Sequence, residues 1–230
     1  MTFREIVSTS GLDGAEEGMS YMIEKSPGPN SFARVGSGSL FVEMAYEHYK
    51  QFQSQLDLLG AAEGTVVISE EEKLKKSFRL MEVRHELSKR GLIAIVFAAC
   101  AIESHIYDYA DRRLDDGLAS KHLEKLSVTD KWVVVPMLVT GTPFPKCENA
   151  FQLLGKLVSA RNSIMHHKSA DFDSDRHSPE WFEQQHAEFI QAVHDSIKAL
   201  QSISKVCAAL DPEDFLFASG LNEWERVEKE

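Results

Sequence analysis

Apolar residues recur at intervals of three and four along most of the chain, and this spacing constrains the fold more than any other feature of the sequence. From about residue 38 onward it predicts helices, because residues three and four apart lie on one face of an α-helix. The segment from Leu92 to Tyr109 is apolar on most faces, so we expect it to be the central, most buried helix. The sequence therefore predicts an all-α fold.

The first two predicted helices follow one another in the N-terminal half of the chain. One runs from Ser39 to near Gly60. The next begins at Ser69, where a hydroxyl cap precedes three glutamates that interact favourably with the positive end of the helix dipole. Its pattern continues to about Leu114, either as one long helix or as two in series, because Gly91 weakens a helix.

The region between residues 115 and 147 carries weaker signals. Residues 119–126 fit a short helix, since their apolar side chains share one side. Val133–Val135 consists of strand-forming residues, but Pro136 follows at once and argues against a strand. A glycine and two prolines within residues 141–145 predict a loop.

Two more helices are predicted in the second half. One begins near Glu148 and ends around His166, where polar residues replace the apolar stripe. The other begins at Ser178, a hydroxyl cap followed by proline at the first helical position, and continues to about Leu210. These patterns divide the chain into an irregular N-terminal arm (1–37), an accessory helix with its connector (38–68), a helical domain (69–210) and an acidic tail (211–230).

The chain is acidic, with 25 Lys and Arg against 36 Asp and Glu and a formal net charge of −11. Sequence-independent nucleic-acid binding depends on Lys and Arg side chains that neutralise phosphates, so this balance opposes a broad nucleic-acid groove. Any nucleic-acid function must therefore act at a local site.

The remaining bulk features predict a soluble, cytoplasmic protein. The three cysteines are far apart and form no CxxC pair, which argues against a disulfide framework or a zinc ribbon and suggests a reducing compartment. The N-terminus lacks the basic and apolar blocks of a signal peptide. The longest apolar stretch, Leu92 to Ile102, is about half the length needed to span a bilayer, so no membrane association is expected.

The candidate chemical site is the segment 161–166, with the sequence RNSIMH. Asn162 and His166 share one side of the predicted helix, while Arg161 and His166 are separated by roughly 140° around its axis. Arginine can hold two phosphate oxygens and histidine can move a proton near neutral pH, so this helix end suits a phosphate group. The alternative is structural: Arg161 pairs with Glu103, Asn162 caps backbone groups and His166 ends the helix.

Histidines and aspartates around and after this segment have the chemistry of metal ligands, but acidic loops produce such groups by chance. The chain has no HExxH motif and no glycine-rich phosphate loop. The sequence therefore predicts neither a metal nor a cofactor. The histidines and aspartates considered above as metal ligands are His166, His167, Asp171, Asp173, Asp175 and His177.

Residues 161–166 resemble the R-x4-H motif of HEPN domains, including the polar residue directly after arginine that their ribonuclease members carry. Glu103-Ser104 resembles the Glu-Ser segment on the central helix of these domains. The resemblance covers residues 75–210. It implies a HEPN-like helical bundle with an extra N-terminal helix, paired through the motif helices so that two R-x4-H segments meet in one dimer cleft.

The resemblance also implies metal-independent RNA cleavage. Arg161 would stabilise phosphate charge, and His166 would act as general base or acid on the ribose 2′-hydroxyl and the leaving oxygen. Asn162 would position both groups. Glu103 would fix Arg161, unless the pair is a purely structural salt bridge, and Ser104 would support the site, unless its hydroxyl bonds to the backbone.

Two functions from different classes follow from the resemblance. The first is a homodimeric, metal-independent endoribonuclease of a toxin, defence or stress type, with RNA as its substrate. The second is a non-enzymatic helical module that binds proteins or senses a nucleotide or another phosphate-bearing ligand. Both use a shared dimer cleft, and the toxin hypothesis adds an antitoxin or another protein as a partner.

Overall fold

The computed structural model describes residues 38–66, 69–114, 122–146, 148–166 and 178–214. This part of the chain is helical and contains no strand, which confirms the predicted all-α class. The predicted N-terminal arm, and the acidic tail beyond residue 214, lie outside the described residues. The helices are α1 (Gly38–Glu63), α2 (Glu70–Arg113), α3 (Val128–Thr140), α4 (Asn149–Met165) and α5 (Pro179–Leu210).

Helix α2 is continuous over its whole length. Its N-cap Ser69 accepts a hydrogen bond from the Glu72 backbone N–H at 3.2 Å, and the Glu72 side chain accepts one from the Ser69 N–H at 3.0 Å. This reciprocal arrangement satisfies two backbone donors at the start of the helix. Gly91 lies inside the helix without breaking it, so the two-helix alternative is wrong.

Helix α1 packs antiparallel to α2. Its first residue, Gly38, lies beside Ser104, in the second half of α2. At its other end, Glu63 Oε1 lies 2.9 Å from Nη2 of Arg84, in the first half of α2. The buried side chains of α1 consequently join those of α2 in one hydrophobic core. Those of α1 include Val42, Ala45, Phe52 and Leu59.

Helix α5 runs in the same direction as α2. Phe189 and Val193 of α5 lie against Gly91 of α2. Further along both helices, the Tyr109 hydroxyl donates to Oδ2 of Asp211, the C-cap of α5, at 2.7 Å. Because later residues of α2 meet later residues of α5, the two helices are parallel. Helix α2 thus packs against both α1 and α5, as the central helix that the sequence predicts.

The ends of α4 and α5 agree with the predicted ends. Helix α4 finishes at Met165, and His166 is its C-cap. Helix α5 begins at Pro179 behind Ser178, whose Oγ accepts a hydrogen bond from the Trp181 N–H at 3.3 Å. Local cap chemistry therefore identifies these boundaries without knowledge of the tertiary structure.

The strand-forming run Val133–Val135 belongs to helix α3. Trp132 and Val135 are fully buried in the common core, and their burial on one helix face prevails over β propensity. Gly141 ends the helix in the left-handed region, with φ of 76°, and the predicted loop follows it. The predicted short helix at 119–126 is described only from residue 122: residues 122 and 123 are π-helical, and residues 124–126 form a turn.

Within the described ranges, α2 is the one helix long and apolar enough, by length and composition, to cross a membrane. Half of its most apolar stretch is buried against the rest of the protein. The core helix of a bundle can meet the same two criteria.

Candidate functional site

The candidate site lies at the C-terminal end of α4. Arg161 and Asn162 belong to its last turns, and His166 follows as the C-cap. The backbone N–H of His166 donates to the Asn162 carbonyl oxygen at 2.9 Å and closes the final turn. Carbonyl groups without helical partners give this end a partial negative charge, which stabilises cationic side chains such as arginine and protonated histidine.

The guanidinium group of Arg161 is held on two sides. Its Nη2 donates to Oε2 of Glu103 on α2 at 3.0 Å, and its Nη1 donates to Oδ1 of Asn162 at 2.9 Å. Glu103 and Arg161 are 58 residues apart, so this contact joins the candidate segment to the central helix. A guanidinium carries five N–H donors, and these two bonds leave donors for an oxyanion.

Water reaches both partners of the ion pair, since the side chains of Arg161 and Glu103 are 32% and 39% exposed. An ion pair with this exposure is screened, and it stabilises the fold by about 1 kcal/mol at most. Its larger effect is geometric, because it restricts the direction of a long side chain whose head group a ligand can reach. The structure thus brings Arg161, Asn162 and Glu103 together at an accessible position.

His166 is at the same helix end, but its imidazole is exposed. Among the described residues, this ring makes no hydrogen bond with Arg161 or Asn162. A bound ligand can reach this exposed imidazole. It is equally compatible with the structural alternative, in which the residue only ends the helix.

Ser104 faces a different neighbour from Glu103. Its Oγ lies 3.8 Å from the position that a Cβ atom would take on Gly38, the first residue of α1. Successive helical residues point about 100° apart, so Glu103 can face α4 while Ser104 faces α1. The structure thus places Ser104 beside the start of α1, and its predicted supporting role stays a prediction.

Cys100 of α2 is a further neighbour of the site. It is only partly buried, and it lies one turn before Glu103 on α2. Burial raises the pKa of its thiol, while the nearby Arg161 guanidinium acts in the opposite direction. Its spacing of three from Glu103 is the signal in the sequence that places both side chains on one helix face.

A metal site needs several ligand side chains that lie close together. It holds no group of three or more His, Cys, Asp or Glu side chains that is suited to a metal ion. Of the six histidines and aspartates singled out in the sequence, His166 alone falls within the described residues. The other five lie outside them.

The chain matches no protein-family model, no curated protein and no solved structure. The relation to HEPN domains accordingly rests on the sequence alone, namely on the R-x4-H segment, on Glu103-Ser104 and on the order of the segments between Asp130 and Leu210, and it stays a prediction.

Proposed function

We propose that this chain is a cytoplasmic, HEPN-like, metal-independent endoribonuclease of a toxin, defence or stress type. The observation that carries the proposal is the position of Arg161, fixed between Glu103 and Asn162 at the accessible end of α4. A fixed guanidinium with unused donors can bind a phosphate and stabilise the negative charge that increases during cleavage. The exposed His166 supplies a proton acceptor and donor at the same helix end.

In the proposed reaction, the ribose 2′-oxygen attacks the adjacent phosphorus. His166 accepts the proton of the 2′-hydroxyl, a new P–O2′ bond forms, and the P–O5′ bond breaks. The departing 5′-oxygen takes a proton from a second imidazole, or from the same one after exchange. The products are a 2′,3′-cyclic phosphate and a 5′-hydroxyl, so the reaction needs no water as nucleophile and no metal ion.

A homodimer provides two imidazoles for these two proton transfers. Met165, directly before His166, is 61% exposed, and a second copy of the chain packed over the α4 end would shield it from water. In that arrangement each motif faces its equivalent across a two-fold axis. The proposed enzyme is therefore a dimer with one shared cleft.

A second candidate function is a non-enzymatic module that binds a protein or a phosphate-bearing ligand. It is favoured by an apolar stripe on α2, defined as Leu74, Phe78 and Met81, whose exposed fractions are 59%, 59% and 64%. Their spacing of four and three places them on one helix face. Exposed apolar patches of this kind are typical of protein interfaces, and an antitoxin or another protein partner fits this stripe.

The decisive experiment is cleavage of total RNA and tRNA in EDTA by the wild type, His166→Ala and Arg161→Ala. Removal of a charge-stabilising donor costs about 10²–10³-fold in rate, and removal of a general acid–base group about 10²–10⁴-fold. His85→Ala is the matched control, because His85 is another exposed histidine, on α2. Circular dichroism and thermal unfolding verify that each variant is folded.

Cleavage by the wild type and by His85→Ala, lost in the two motif variants, is the expected result. Equal cleavage by all four folded proteins would refute the proposed catalytic roles. No cleavage by a dimeric wild type would favour the binding module. The search would then turn to a partner for the apolar stripe.

A further inference from the structure

The first half of α2 has apolar side chains on two opposite sides of the helix. On one side, Leu87 and Ala94 are fully buried in the hydrophobic core. At about 100° per residue, the apolar stripe of Leu74, Phe78 and Met81 lies on the other side, and each of its side chains is more than half exposed. The packing of α2 into the core therefore does not account for the stripe.

The apolar stripe belongs to a longer pattern along the exposed side of α2. Its spacing of four and three continues through the polar His85 and Ser88 to Leu92, which is 37% exposed. All of these positions fall within a sector of about 80° around the helix axis. Alternating steps of four and three are typical of the seam of a coiled coil, in which side chains of one helix pack between those of another. The exposed side of α2 is therefore suited to a second helix.

The charges beside the stripe favour a second copy of the same helix in the antiparallel direction. Lys75 and Glu82 lie on the same flank, because they directly follow Leu74 and Met81 of the stripe. Equal flanks meet in an antiparallel pair. When Phe78 packs against Met81 of the second copy, Lys75 comes to lie opposite Glu82 of that copy, and the two-fold axis repeats this pair.

Other pairings of two α2 helices bring like charges together. A parallel pair would place Arg84 beside Lys89 of the second copy. An antiparallel pair shifted by one heptad, with Phe78 against Leu74, would place the two Lys75 side chains beside each other. Like charges across an interface oppose association and exclude wrong registers. The charge pattern thus selects one direction and one register.

We infer that two copies of this chain associate through the apolar stripe, as an antiparallel pair of α2 helices related by a two-fold axis. Phe78 of each copy packs against Met81 of the other, which removes both side chains from water. Lys75 of each copy pairs with Glu82 of the other. The inference does not rest on the proposed endoribonuclease, and it assigns the stripe to a partner that the charge pattern itself specifies.

Both charged groups are accessible for this pairing. Lys75 Nζ lies 2.6 Å from Glu71 Oε1 of the same helix, but the two side chains are 74% and 76% exposed. Such a pair is screened by water and is readily exchanged. Glu82 is exposed as well. Because exposed ion pairs add little free energy, they determine direction and register, while the apolar side chains supply the affinity.

The α2 contact is separate from the cleft proposed at the end of α4, because the two use different helices. Two different two-fold contacts close into a tetramer only when their axes intersect at a right angle, and otherwise they form an open filament. A protein that uses both contacts would therefore form assemblies larger than a dimer. Cleavage and association through α2 can consequently be measured independently of each other.

The first test measures association of the full-length chain by sedimentation velocity over about a hundredfold range of concentration. Phe78→Glu places a charge in the middle of the stripe and should weaken the association by more than about 10-fold. Leu58→Glu is the matched control, because Leu58 is an exposed apolar side chain of α1, 44% exposed and outside the stripe. This control should stay within about twofold of the wild type, and circular dichroism verifies that each variant is folded.

The second test identifies the occupant of the stripe by exchanging charges. Lys75→Glu and Glu82→Lys each place like charges opposite each other in the antiparallel pair, so each variant alone should associate about 3–10-fold more weakly than the wild type. An equimolar mixture of the two variants restores two opposite-charge pairs between unlike copies. Its association should return to within about twofold of the wild type, and salt should reduce all of these differences.

Recovery in the mixture is specific to a second copy, since a foreign partner cannot produce it. If the wild type and Phe78→Glu had the same mass at every concentration, the inference would be overturned, and the stripe would bind another protein or a segment of the same chain. Loss of association in Phe78→Glu without recovery in the mixture would overturn the antiparallel pairing.

Failure of this inference and failure of the proposed enzyme are distinguishable. RNA cleavage by a wild type that shows no association through the stripe would leave the endoribonuclease standing and overturn the inference. Association that depends on Phe78 and recovers in the charge mixture, in a protein that cleaves no RNA, would support the α2 contact and count against the enzyme.

Discussion

Gly91 of α2 lies so close to Phe189 of α5 that a Cβ atom on Gly91 would be 2.6 Å from Phe189 Cζ. The same Cβ atom would be 2.8 Å from Cγ2 of Val193. Both distances are shorter than non-bonded carbon atoms tolerate. The glycine that appears from sequence to weaken α2 is thus the residue that lets α5 approach it.

Gly91→Ala should destabilise the protein by about 1–3 kcal/mol, because the added methyl group overpacks the contact between α2 and α5. Thermal and urea unfolding measure the effect. The control is Gly155→Ala in α4, where a Cβ atom meets nothing within 4 Å, and where alanine should stabilise the helix by about 0.5–1 kcal/mol. If Gly91→Ala and Gly155→Ala changed the free energy of unfolding in the same direction, this explanation would be contradicted.

The sequence predicted the helix boundaries that depend on local chemistry. Ser69 and Ser178 are caps whose hydroxyl groups satisfy nearby backbone donors, and such signals lie within a few residues of the helix start. Continuity of α2 through Gly91 was not predictable in this way, because it depends on Phe189, almost a hundred residues away. Packing partners in other helices leave no local signal in the sequence.

In the candidate site, too, the features that depend on local spacing were predictable and the contacts between helices were not. Helical spacing places Asn162 and His166 at one helix end, and the structure has them there. The hydrogen bond from Arg161 to Glu103 connects two helices, so the spacing within either helix cannot establish it. The position of Ser104 toward Gly38 likewise depends on how α1 packs on α2, which periodicity does not determine.

Glu103→Gln should lower kcat for RNA cleavage by about 10-fold without raising KM, because the neutral amide orients Arg161 less firmly and no longer offsets its charge. This loss is smaller than the ~10²-fold or more expected when a charge-stabilising donor is removed. Glu86→Gln is the matched control, since it disrupts another partly exposed pair, Glu86–Arg90, whose atoms are 2.6 Å apart. A change in thermal stability with kcat unaltered would identify the Glu103–Arg161 pair as purely structural.

Tyr109→Phe should destabilise the protein by about 1–2 kcal/mol, because it removes a hydrogen bond to the buried carboxylate of Asp211. Burial and this hydrogen bond raise the pKa of Tyr109, so the phenol stays protonated and donates throughout the neutral range. Arg113, at 3.0 Å, would remain as a partner of the carboxylate. The control is Tyr107→Phe, two residues earlier and partly exposed, and equal losses of stability in both variants would argue against the hydrogen bond as the cause.

Acidification should destabilise the fold through His186 and His194 of α5. Burial lowers the pKa of both imidazoles, and the nearby Arg84 and Lys198 lower them further. The unfolded chain therefore takes up protons at about pH 6.5, whereas the folded chain takes them up only at lower pH, so the free energy of unfolding falls as the pH drops below that value. Unfolding midpoints in urea at pH 7.5, 6.5 and 5.5 measure the slope.

His194→Gln separates this effect from the loss of packing. It removes the contact of 2.8 Å between His194 Nδ1 and the Tyr49 hydroxyl, so the variant should be less stable than the wild type at pH 7.5. Its stability should nevertheless fall less steeply toward pH 5.5, because one proton-binding group is gone from the unfolded state. His85→Gln, at an exposed position, should keep the wild-type slope. An unchanged slope in His194→Gln would mean that the proton uptake on unfolding occurs at other groups.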